Sequence, residues 1–156
     1  MLQMKQTIEK LEDTYTGPKN DTNEPVVFFA DLTQNRTSTR GSPILFDLNE
    51  KRTTPNVKFH DGVFTAQTAG YYFFSFSIMQ SEYIPGLPTF TSSYLQKSDE
   101  DQYCSVTTNY SENNHTLGCS AIITMEVGED VYIKFGGGQM FSNINSMFSG
   151  IKLFST

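Results

Sequence analysis

The chain has 156 residues with 13 Phe, 8 Tyr and no Trp, and its formal net charge is -6. This length suits one domain with a single core, and the acid excess, unbroken by any Lys/Arg cluster, argues against nucleic acid or an anionic membrane as partner. No apolar run approaches the ~20 residues of a membrane-spanning helix, so no membrane insertion is expected, and the opening MLQMKQTIEK lacks the apolar core of a secretory signal.

Met1, Met4, Ile8, Leu11 and Tyr15 recur at spacings of three and four, which lines them up as the a/d seam of a short helix over residues 1–16. About two heptads are marginal in water, so the seam is either a coiled coil completed by other copies or a frayed amphipathic tail. Gly17-Pro18 ends the helix, and residues 17–24 read as a polar linker.

From Pro25 the helical period gives way to short β-rich runs between turn clusters, the pattern of an all-β antiparallel sandwich over 25–156. Strands are expected at 26–32, 44–49, 64–67, 71–80, 91–97, 103–109, 121–127, 131–135 and 148–154. The stretch Phe59–Ile78 reads as a buried hairpin, with reversals at Asp61-Gly62 and Ala69-Gly70. Within it Tyr72, Phe74, Phe76 and Ile78 share one face and Tyr71, Phe73, Ser75 and Ser77 the other, which suits a central strand or a subunit contact. Gly128-Glu129-Asp130 is expected to be a tight turn and Gly136-Gly137-Gly138 to open a flexible loop. Neither precedes a helix, so neither fits a phosphate-cradling loop.

Cys104 and Cys119 flank a polar segment that fits a hairpin tip, which would bring the sulfurs to adjacent strands. A disulfide, two buried thiols and a reactive or intermolecular cysteine all remain compatible with that spacing, whereas two cysteines without paired histidines do not make a zinc site. His60 and His115 are the only histidines, and neither is placed in a pattern of nucleophile, base and orienting carboxylate. The chain is therefore not expected to be an enzyme. Four Asn-X-Ser/Thr sequons, at Asn20, Asn35, Asn109 and Asn114, fit a glycosylated extracellular protein whose signal peptide is not part of this chain.

Three ordered stretches carry a family resemblance: the aromatic segment Phe64-Thr65 with Gly70-Tyr71-Tyr72-Phe73-Phe74, the run Ser120–Phe135, and the ending Met147–Phe154 with Phe148-Ser149-Gly150. Together with Val27–Ala30 and Ile44–Asp47 they resemble the globular head domain of complement C1q, within the C1q and tumour necrosis factor superfamily. The resemblance implies a ten-stranded jelly-roll sandwich that forms a tight homotrimer, with Tyr71, Tyr72, Phe73, Phe74, Phe76 and Phe148 in the core or around the threefold axis. Many members carry a collagen stalk, but this sequence has no Gly-X-Y repeat. Its N-terminal seam is similar to the stems of collagen-less secreted members, including invertebrate immune lectins and the cerebellins. Some members bind calcium near the trimer axis, and Asp99 and Asp101, in the acidic run 98–101, are the matching candidates. The expected function is multivalent recognition of glycans or a microbial surface, through polar loops such as 83–89, 107–116 and 139–146. The other expectation is a secreted signalling or scaffold trimer that engages a cell-surface protein.

Overall fold

The computed structural model describes residues 25–34, 36–80, 90–98, 101–109, 115–138, 141–142 and 145–156. The seam at Met4, Ile8, Leu11 and Tyr15, the sequons at Asn20, Asn35 and Asn114, and Asp99 lie outside them.

The strands are β1 (Val27–Asp31), β2 (Arg36–Thr37), β3 (Asp47–Leu48), β4 (Lys58–His60), β5 (Val63–Thr65), β6 (Gly70–Gln80), β7 (Phe90–Lys97), β8 (Asp101–Asn109), β9 (His115–Met125), β10 (Asp130–Gly138), β11 (Phe141–Ser142) and β12 (Met147–Phe154). Two antiparallel sheets of five principal strands face each other. The first has the order β9-β6-β12-β1-β3, with the short β11 and β2 extending it beyond the end of β6; the second has the order β4-β5-β10-β7-β8.

Alternation builds the core. Phe28, Phe74 and Phe148 from the first sheet meet Phe64 from the second, and all four are buried. Phe28 stacks on Phe64 with ring centroids 4.9 Å apart and meets Phe148 edge-on at 5.1 Å, both favourable aromatic arrangements. Tyr72 is equally buried, and its hydroxyl donates to the Thr68 carbonyl at 2.8 Å, so its polar end is satisfied.

The hairpin reading of Phe59–Ile78 is corrected. The true hairpin is β4–β5, closed by Asp61 and Gly62, both at positive φ (49° and 79°) as a two-residue primed turn requires. Residues 66–69 then carry the chain into the other sheet, so β5 and β6 lie in different sheets. The expected strand 44–49 also divides. Ile44 N–H donates to the Ile133 carbonyl at 2.8 Å, alongside β10 in the second sheet, while Asp47 and Leu48 pair with β1 in the first. Burial of Ile44 and Phe46 explains the apolar signal, and the change of sheet explains the short ladder. Nor do Gly136-Gly137-Gly138 open a loop: they continue β10 through a bulge opposite β7.

Candidate functional site

Residues 70–79 of β6 alternate strictly, and because β6 lies between β12 and β9 its two faces have different fates. Tyr72, Phe74, Phe76 and Ile78 point into the core, as does Phe148, while Tyr71 and Phe73 point outward. Of the six aromatics singled out from the sequence, four therefore fill the interior and two remain on the surface.

Register turns those two into a patch. Val27, Ile151, Phe73 and Ile122 are successive cross-strand partners on β1, β12, β6 and β9, one apolar row across four strands. At roughly 4.8 Å per strand the row is about 15 Å wide. Phe73 is 37% exposed, Ile151 40% and Ile122 59%, and Phe154, 59% exposed, lays its ring 5.0 Å from that of Tyr71 at the same end of the face. The next row, Phe29-Ser149-Ser75-Ser120, carries small polar residues on β12, β6 and β9. A contiguous apolar patch of this kind marks an interaction surface. Ile122, Ile151 and Phe154 were not singled out from the sequence. Their alternation was visible, but only the register brings them beside Phe73.

Cys104 and Cys119 form a disulfide, with Cα atoms 6.4 Å apart. The expected hairpin geometry is corrected, because β8 and β9 are edge strands of opposite sheets and the bond ties one sheet to the other. Asn109 ends β8 opposite Phe90. Asp101 is exposed where β8 begins, cross-strand from Lys97. Among the described residues no group of three or more His, Cys, Asp or Glu is arranged to hold a metal. His60 is exposed at the hairpin tip, with Nδ1 3.0 Å from Asp61 Oδ2.

At one end of the sandwich, Lys97 Nζ lies 2.8 Å from Glu129 Oε2 and donates to the Thr124 carbonyl at 3.0 Å. The Glu129 carboxylate also accepts the Glu126 N–H at 2.7 Å. That backbone donor, reinforced by Lys97, holds the Glu129 carboxyl below its ordinary range, and the Glu129 contact raises Lys97. Burial raises the Tyr72 phenol, an effect its Thr68 hydrogen bond moderates.

Residues 27–153 match the profile of the C1q domain. The chain belongs to the C1q domain family. The globular domain of the zebrafish complement 1qA protein superposes on this C1q domain with a TM-score of 0.68 at 17% identity, covering 85% of this chain and 100% of that one. Eiger TNF from S. frugiperda gives 0.66 at 12%, covering 85% and 93%, and murine APRIL at pH 5.0 gives 0.67 at 6%, covering 83% and 100%. Identities this low establish a shared fold. No curated protein matches the chain by sequence. C1q and tumour necrosis factor domains form a trimeric fold family used in innate immunity and signalling, and they are generally non-enzymatic binding modules, typically extracellular. No helix among the described residues is long and apolar enough to cross a membrane.

Proposed function

We propose that this C1q-domain protein is a secreted homotrimer that recognises glycans or other repeated surface patterns through multivalent binding. The observation that carries the proposal is the apolar row Val27-Ile151-Phe73-Ile122, a surface suited to burial against copies of itself. Three heads on one axis turn weak single-site affinity into useful avidity, on the order of 10²–10⁴-fold when the target is repetitive. The seam at Met4, Ile8, Leu11 and Tyr15 would serve as the stem of that trimer. Calcium at Asp101, with Asp99, belongs to the same proposal, and its sign would be a calcium-dependent rise in melting temperature that Asp101→Ala abolishes.

Light scattering tests the assembly: the expected mass is three times that of the 17.6 kDa chain, and a stable monomer at micromolar concentration overturns it. A glycan array tests the ligand, with saturable, sugar-competed binding expected. A second reading, a trimer that engages a protein receptor, draws support from the fold shared with Eiger TNF and APRIL. A clean array combined with capture of a cell-surface protein would favour it.

A further inference from the structure

The outward face of the second sheet lies on the opposite side of the sandwich from the apolar row, so in the proposed trimer it points away from the axis and stays open. Its centre is the bulge in β10. Gly136 has no side chain, and a Cβ built there would fall on the ring of Tyr94, so the ring packs against the glycine backbone. Tyr94 is half-buried, and its hydroxyl donates to Ser92 Oγ at 3.3 Å. The part of the ring that is not covered by the strand leaves an aromatic surface on this face.

Two cations are placed near Gly136. Lys134 is the direct cross-strand partner of Tyr94, two residues before Gly136 and thus roughly 6.6 Å along the strand. Arg40 arrives from the opposite side, because Gly41 N–H donates to the Phe135 carbonyl at 2.7 Å; its Cδ and Nε lie 3.4 Å from where a Cβ on Gly137 would sit. Among the described residues, no carboxylate and no hydrogen-bond acceptor engages either cation. In a chain with 17 acidic and 11 basic side chains, two such cations without a partner among the described residues depart from the average. Sugar rings stack their apolar C–H face on an aromatic ring, and a carboxylate or sulfate beside that ring would meet both charges.

We infer that this face carries a subsite for an acidic saccharide, with Tyr94 as the stacking platform and Arg40 and Lys134 as the charge partners. The inference rests on the recognition reading above and gives it a ligand class. The occupant is an anionic sugar rather than a neutral one, since two cations with no carboxylate partner among the described residues gain more from a carboxylate or sulfate than from neutral hydroxyls. The affinity of one subsite is expected to fall as ionic strength rises.

The full-length protein is titrated with 3′-sialyllactose, which brings a carboxylate, and with a heparin-derived tetrasaccharide, which brings sulfate; lactose is the neutral control. Saturable binding of at least one acidic probe is expected, weakened about tenfold or more in Arg40→Gln/Lys134→Gln, which is the scale of losing a charged hydrogen bond. Tyr94→Leu should weaken binding, and Tyr94→Phe, which keeps the ring, should retain it. All variants should keep the wild-type mass, because none lies on the apolar face. Unchanged acidic-sugar binding in the double variant overturns the subsite, as does equal binding of lactose. Polyphosphate bound as well as the sugars and unaffected by Tyr94→Leu would reveal a bare charge patch and also overturn it. If the trimer binds other glycans through none of these residues, the subsite fails while the recognition reading stands. A monomer that binds no saccharide removes both.

Discussion

Gly62 and Gly128 hold similar backbone angles, φ of 79° and 88°, in different surroundings. A Cβ on Gly62 would run into the Ile44 carbonyl, whereas one on Gly128 would meet nothing. Alanine at Gly128 should therefore cost only the left-handed strain, about 1 kcal/mol. Alanine at Gly62 must also displace the segment that crosses between the sheets, and should cost more, on the order of 2–3 kcal/mol; urea denaturation of the two variants measures the difference. Glu129 makes a separate prediction. Its depressed carboxyl stabilises the fold above the ordinary glutamate value of about 4.3, and the contribution is lost as acid carries it through its lower folded value. Lys97, being raised, contributes below about 10.4 and loses its contribution as alkali passes its folded value. Glu129→Gln should thus lower stability by about 1 kcal/mol or less between roughly pH 5 and pH 10, and should converge on the wild type once acid has carried the carboxyl through its lowered folded value. A melting-temperature profile against pH checks this.

At the scale of elements, the Cys104–Cys119 bond joins the edge strands β8 and β9 of opposite sheets. It closes a loop of sequence separation 15, and removing it through Cys104→Ser/Cys119→Ser should cost about 3 kcal/mol. Denaturant titration reads that loss. The double variant should keep the wild-type mass, since both cysteines lie in inward-facing rows, Cys104 opposite Leu95 and Cys119 opposite Phe76. These elements were legible in the sequence to different depths. The Asp61-Gly62 turn could be read directly, because a primed turn depends on two residues and the alternation beside them. The strand character of Gly136–Gly138 could not, because no local preference favours glycine in a strand; the place of Gly136 is explained by the Tyr94 ring, 42 residues away in sequence, that covers it. The first half of β9, His115–Ser120, lay outside the expected strand 121–127, and its pairing with Ser75–Gln80 of β6 makes it a strand.

For the whole molecule, neighbouring residues of β6 make opposite predictions. Phe73→Asp places a charge on the apolar row and should convert the proposed trimer to a folded monomer, with unchanged far-ultraviolet circular dichroism and a mass near 17.6 kDa. Phe74→Ala, one position along, empties a core site and should cost about 3–5 kcal/mol of stability. A trimer that survives Phe73→Asp at micromolar concentration would contradict the role assigned to the row. By itself the sequence determined the class of fold, the alternation of β6, the tight turns and the order of the family's motifs, because these depend on residues close together along the chain. Only the tertiary structure decided which face of β6 is core and which is surface, that the cysteines join opposite sheets, that Ile122 and Ile151 stand beside Phe73, and that Tyr94 packs on Gly136 while Arg40 reaches Gly137. Each of these follows from strand register and sheet assignment, which are set by the simultaneous burial of many distant side chains and leave no local mark on the sequence.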